Sequence, residues 1–220
     1  WCYIGKRKLD KAISLYQKTY PGGKSDVFII KWRPYYLDYN PHPHSVDKAD
    51  LIDVWLSGMT PEQRTAMFNR ITQIGRSVGI TFKDGGKIGN TLDAHRLVHI
   101  TQAKSPDIQN ALVESIFEAY HELERDISER AVLRDLAVNA GIDATEVDEC
   151  LESSLAADVV DEEARRNKET VNSGVPSFVI QGVHRVDGAE DPFEFIEIFA
   201  KVREGDLKAW SSYLASTGYC

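Results

Sequence analysis

The chain begins with Trp1-Cys2-Tyr3-Ile4-Gly5-Lys6, a stretch with the pattern of the second half of a thiol active site. Apolar residues then recur near helical spacing as far as Tyr16, and no proline interrupts them before Pro21. At the start of a helix, unpaired backbone N–H groups and the positive end of the helix dipole stabilise a cysteine thiolate. The stretch therefore predicts a helix with a redox-active cysteine, Cys2, at its N-terminus.

A second stretch, Gly174-Val175-Pro176-Ser177-Phe178-Val179-Ile180, contains the other element that such a site needs. Its β-branched and aromatic residues are followed by a break at Gln181-Gly182 and by a second run that extends to Val186. Two short runs of this kind across such a break predict a β-hairpin. Pro176 lies in the loop that precedes this predicted hairpin.

Between these two stretches the pattern is mostly helical. Residues 26–33 predict a short strand buried on both faces, and the Asn-Pro-His-Pro-His stretch at 40–44 marks a candidate domain boundary. Helix starts are predicted at Thr60-Pro61, Ser105-Pro106, Ser128-Glu129, Asp143-Ala144 and Asp191-Pro192, and a polar helix around residues 161–172. A strand and a hairpin with flanking helices, split by a long helical insertion, predict an α/β fold.

Composition excludes several classes of function. The 220 residues carry a net charge of -8, which argues against a nucleic-acid surface because phosphate binding depends on clustered Lys and Arg. No apolar run approaches the roughly 18 residues of a membrane span. No metal, nucleotide or flavin signature is present, so we expect no bound cofactor.

The cysteines indicate the compartment. Cys2, Cys150 and Cys220 are too few and too scattered for a disulfide framework, which indicates a reducing, cytoplasmic location. Cys150 lies among apolar residues and is interpreted as a buried filler. Cys220, at the end of the chain, is expected to have no role.

Five motifs, in order along nearly the whole chain, resemble those of the DsbA-like thioredoxin family. They are Trp1-Cys2-Tyr3-Ile4-Gly5-Lys6, Lys31-Trp32-Arg33-Pro34, Asn90-Thr91-Leu92-Asp93-Ala94-His95-Arg96-Leu97, Gly174-Val175-Pro176-Ser177-Phe178 and Gly188-Ala189-Glu190. The resemblance is greatest to the FrnE-like branch, which is close to the 2-hydroxychromene-2-carboxylate isomerases and the kappa-class glutathione transferases.

The resemblance implies a thioredoxin-like fold with a large all-helical insertion domain. The thioredoxin-like domain is expected at residues 1–42 and 165–220, and the insertion at residues 43–164. The first strand of the sheet is expected to lie upstream of Trp1.

The resemblance also implies the site residues. In a Cys-Pro-Trp-Cys motif, Cys2 matches the second, resolving cysteine and Trp1 the residue before it. The first cysteine and its proline are expected upstream of Trp1. Pro176 matches the cis-proline of the family, with Val175 before it in the loop that binds an extended peptide or glutathione. His95 and Arg96 are expected either to contact the substrate or to form hydrogen bonds at the domain interface.

Three functions stay open on the sequence alone. The first is a thiol–disulfide oxidoreductase acting on protein or small-molecule disulfides, and it is favoured because Cys2 is present. The second is a glutathione-dependent isomerase or transferase with a serine in the upstream position and glutathione as cosubstrate. The third is a non-catalytic thioredoxin-like binding module. Exposed aromatic residues such as Tyr35, Tyr36 and Tyr39 are compatible with a homodimer.

Overall fold

The computed structural model describes residues 1–37, 42–171 and 173–217, with side chains up to residue 206 and at 208. It divides into two compact units, one made of Trp1–Phe28 with Ser173–Cys220 and the other of Ile29–Asn172. The domain limits expected from the sequence, at 42/43 and 164/165, stay a prediction. Tyr39 and Cys220 lie outside the described residues.

Helices dominate the described part of the chain. In chain order they are α1 (Cys2–Thr19), α2 (Lys48–Trp55), α3 (Pro61–Ser77), α4 (Leu92–Ile100), α5 (Pro106–His121), α6 (Arg130–Asn139), α7 (Ala144–Glu152), α8 (Ala157–Thr170) and α9 (Pro192–Thr217). The strands are β1 (Val46–Asp47), β2 (Lys87–Ile88), β3 (Ser177–Ile180) and β4 (His184–Asp187). The fold is α/β with a large helical insertion, as expected.

The first unit combines α1, α9 and a hairpin. α1 ends at Thr19, and the extended backbone of the next residue, Tyr20, suits a residue before proline. β3 and β4 pair antiparallel, and Gln181 and Gly182 both have positive φ in the turn, as a tight hairpin turn requires. The predicted hairpin is therefore confirmed. The buried side chains of this unit include Tyr3, Ile4, Leu9, Ala12, Tyr16, Val186, Phe195 and Phe199.

The second unit is built on helices whose ends match the sequence signals. Thr60 and Gln63 form the predicted capping box at the start of α3. Ser105 caps α5, and the carboxylate of Asp143 accepts hydrogen bonds from two backbone N–H groups of α7. The core of this unit consists of Ala94, Leu97, Leu112, Ile116, Ala119, Leu133, Leu136, Ala137, Ile142, Val147, Cys150 and Leu151.

The strand predicted at residues 26–33 is wrong. That segment is irregular, and Val27 and Ile29 are exposed. A strand requires a ladder with a neighbour, and no segment among the described residues pairs with this one. The insertion is also not purely helical, because Val46–Asp47 and Lys87–Ile88 form a short antiparallel ladder within it.

Candidate functional site

Cys2 is the first residue of α1, where the sequence predicted it. Trp1 is the N-cap, and its carbonyl accepts the hydrogen bond from the Gly5 backbone N–H at 2.8 Å. The Cys2 thiol is free and partly buried, whereas Trp1 is half exposed. The helix start thus holds a thiol beside an accessible aromatic surface.

Burial changes the protonation state of Cys2 from the one expected at a helix N-terminus. Burial raises the pKa of the Cys2 thiol, because a thiolate loses hydration there. The backbone at the helix start lowers it by less. At neutral pH Cys2 is therefore a thiol rather than the thiolate that the helix N-terminus alone would favour.

The loop before β3 has a defined backbone. Gly174 has a φ of 82°, and the Val175–Pro176 peptide bond is cis. Pro176 is buried, and its carbonyl accepts a hydrogen bond from the Gly188 N–H at 2.8 Å. The Pro176 segment is thus held on its carbonyl side by the residue that follows β4.

Gly5 brings this loop against α1. A Cβ atom added to Gly5 would lie 2.8 Å from Cγ of Pro176 and 3.2 Å from Cζ of Phe178. Gly5 lies three residues after Cys2, about 4.5 Å further along the helix axis. The Pro176 ring therefore packs on the first turn of α1, the turn that begins with Cys2. This contact joins the Pro176 loop to the turn of α1 that begins with Cys2.

Gly5→Ala is expected to destabilise the protein by about 1–2 kcal/mol. The added methyl group meets the rigid Pro176 ring, and such overpacking typically costs about 1–3 kcal/mol. Replacing glycine by alanine within a helix otherwise stabilises a protein by about 1 kcal/mol. The clash with Pro176 therefore decides whether the free energy of unfolding falls or rises. Urea unfolding measures the change. The matched control is Gly205→Ala in α9, where no described atom lies within 4 Å of an added Cβ, so a gain is expected. A gain for Gly5→Ala as well would contradict the close approach of the loop.

His95 and Arg96 lie on α4 in the second unit. Nδ1 of His95 lies 2.7 Å from the Thr91 carbonyl, and its ring packs edge-on against Tyr36. Burial lowers the pKa of His95, so its imidazole is neutral at pH 7.

Arg96 is 2% exposed, and its guanidinium donates to backbone carbonyls at the end of α7 and beyond it. These contacts go to Leu155 and Ser153, both at 2.7 Å, and to Cys150, with a salt bridge to Asp93 at 2.5 Å. They favour a structural role for Arg96, and the assignment of His95 and Arg96 to substrate binding stays a prediction.

Sequence reasoning missed Gly5 as a contact of the Pro176 loop and Lys8 as a contact of the segment after β4. Glycine is costly in a helix interior, so Gly5 within an apolar helical pattern was a usable signal for close packing. Lys8 belongs to a basic run, residues 6–8 and 11, that resembles any solvated helix face. Its Nζ donates to the Ala189 carbonyl at 2.7 Å, a contact without a sequence signature.

Comparisons with known proteins agree with this fold. Residues 1–200 match the family model of the DSBA-like thioredoxin domain. The structure is similar to that of a probable DsbA oxidoreductase from Streptomyces coelicolor, with a TM-score of 0.76 and 26% identity over 91% of this chain and 84% of the other. A candidate protein disulfide isomerase from Nitrosomonas europaea shares the fold, with a TM-score of 0.52 and 20% identity over 74% of this chain and 89% of the other.

No curated protein matches the chain with significant similarity. Within the described ranges, no helix is both long and apolar enough to cross a membrane.

Proposed function

The chain belongs to the DSBA-like thioredoxin domain family, and on that premise we propose that it is a thiol–disulfide oxidoreductase in which Cys2 is the resolving cysteine. The observation that carries the proposal is the packing of the Pro176 ring on the turn of α1 that begins with Cys2. This contact supports the proposal because it brings the loop with the cis bond onto the helix turn that carries the thiol. Such a pair can hold a disulfide substrate while its sulfur atoms exchange.

The chemistry has two exchange steps. A thiolate that precedes Trp1 attacks one sulfur of the substrate disulfide and expels the other as a thiolate, which gives a mixed disulfide. The Cys2 thiol loses its proton and attacks the enzyme sulfur of that mixed disulfide. The second substrate thiolate leaves, and Cys2 ends in a disulfide within the protein. The substrate gains two electrons, and the enzyme dithiol loses them.

The burial and the raised pKa of Cys2 support a role as the resolving cysteine rather than as the attacking one. An attacking cysteine needs an exposed thiol with a low pKa. Burial instead raises the pKa of Cys2, and the thiol is only partly accessible. A resolving thiol needs only to reach the neighbouring sulfur of the mixed disulfide, where proximity compensates for the small thiolate fraction.

The remaining site residues take supporting roles in this proposal. Trp1, half exposed at the N-cap, offers an apolar surface beside the exchanging sulfurs. The backbone of Val175 binds the substrate next to the disulfide, whereas the internal contacts of Arg96 give it a structural role in the second unit. The substrates in this proposal are protein or small-molecule disulfides, with glutathione as a thiol cosubstrate. The compartment is reducing and cytoplasmic.

The proposal is tested with an unstructured peptide disulfide and the protein that carries the residues preceding Trp1. Release of peptide thiols, measured with a thiol reagent, is expected to be catalytic when a dithiol reductant regenerates the enzyme. Glutathione conjugation to an electrophile, without peptide disulfide exchange, would instead favour a transferase or isomerase. Absence of both activities would favour a binding module.

A further inference from the structure

We propose that Lys8 is a positioning residue that holds the Pro176 loop in place next to Cys2. This inference rests on the proposed function, because the loop matters only if it binds the substrate disulfide. It names a residue on the active-site helix that neither the family match nor the cysteine motif singles out. The residue acts through the backbone of the segment after β4.

The contact made by Lys8 spans 181 residues of sequence. Its Nζ donates a hydrogen bond to the Ala189 carbonyl at 2.7 Å, and both residues are partly buried. A hydrogen bond from a charged donor is stronger than a neutral one, and partial burial limits competition from water. The bond therefore fixes the segment after β4 on α1.

Gly188, the residue before Ala189, connects this hydrogen bond to the Pro176 loop. Gly188 has a φ of 93°, a left-handed conformation that glycine adopts readily. Its N–H donates to the Pro176 carbonyl at 2.8 Å, one step beyond the β3–β4 pairing of Ser177 with Asp187. A shift of Ala189 would thus move the donor that holds Pro176.

Gly5 and Lys8 together make a two-point support. They lie three residues apart on α1 and are neighbours on the helix surface. Gly5 receives the ring of Pro176, and Lys8 holds the backbone that binds the Pro176 carbonyl. Cys2 lies one turn before Gly5, so the thiol and both supports belong to one rigid helix.

Lys8→Met tests the inference, since methionine keeps much of the side-chain length and loses the donor. Hydrogen exchange of the Gly188 amide, followed by NMR, is expected to become about fivefold faster. The KM for the peptide disulfide is expected to rise about fivefold with little change in kcat, the pattern of lost binding. Lys8→Arg retains a charged donor and is expected to recover most of both losses.

The matched control is Lys11→Met, which removes the same charge from an exposed position on α1. Both readouts are expected to stay within about twofold of the parent protein, since loss of an exposed surface charge changes little. An equal effect of Lys8→Met and Lys11→Met would overturn the inference, as would unchanged Gly188 exchange in Lys8→Met or failure of Lys8→Arg to recover. If the parent protein exchanges no disulfides, the proposed function is wrong. Hydrogen exchange of the Gly188 amide then still tests whether Lys8 holds the Pro176 loop in place.

Discussion

Cys2→Ser is expected to lower catalytic disulfide exchange by at least about 100-fold, because a serine hydroxyl cannot release the mixed disulfide. The peptide should remain attached to the protein through the preceding thiol, and intact-mass spectrometry should show that adduct accumulating. Initial attack on the disulfide is expected to continue, since it does not use Cys2. A burst of one thiol per protein, followed by near arrest, is the expected time course.

The matched control removes another thiol. Cys220→Ser is expected to exchange disulfides at the parent rate, since the cysteine motif of the candidate site includes Cys2 and not Cys220. A Cys2→Ser variant that turned over normally and accumulated no adduct would contradict the resolving role.

The pH dependence follows from the raised pKa of Cys2. Below that pKa the thiolate fraction grows with pH, so the resolving step is expected to accelerate from pH 7 upward. Stopped-flow measurement of adduct decay would follow this change. A decay rate that did not vary with pH would contradict the assignment of that step to the Cys2 thiol.

Arg96→Met is expected to destabilise the protein by about 3 kcal/mol, because it removes the buried partner of Asp93 and of several carbonyls around the end of α7. Asp93 keeps a second salt bridge to Arg130 at 3.1 Å, which holds the loss at the low end of the range for buried pairs. Urea unfolding measures the effect. The KM for a peptide disulfide, measured where the variant is fully folded, is expected to be unchanged.

The control for Arg96→Met is Arg70→Met on α3, an exposed arginine of the same unit. Its effect on the free energy of unfolding is expected to stay within about 0.5 kcal/mol. If Arg96→Met were as stable as the parent and instead raised the KM, then Arg96 would bind the substrate and its internal contacts would be incidental.

Much of the fold was predictable because local chemistry decides where elements begin and end. Thr60, Pro61 and Gln63 satisfy the free N–H groups of a helix start among themselves, so their spacing alone located α3. Gln181 and Gly182 likewise marked the turn of the β3–β4 hairpin. Such signals depend on neighbours in sequence and need no knowledge of the tertiary fold.

The failures involve partners that are distant in sequence. Residues 26–33 have strand-like composition, but a strand forms only where another segment supplies a ladder, and composition does not reveal that partner. A thiolate was expected for Cys2 from its position at a helix N-terminus alone. Burial by other parts of the chain has the larger effect on its pKa. The contact of Lys8 has no signature in the sequence because its acceptor, the Ala189 carbonyl, lies 181 residues away.

The central claim is that Cys2 is the resolving thiol of a disulfide-exchanging site, and peptide mapping by mass spectrometry tests it most directly. The reduced protein, with the residues that precede Trp1, is allowed to react with one equivalent of a peptide disulfide, and free thiols are then alkylated. The account predicts that Cys2 escapes alkylation and is recovered in a disulfide with a cysteine that precedes Trp1. Recovery of Cys2 as an alkylated free thiol, in protein that has fully reduced the peptide, would contradict it.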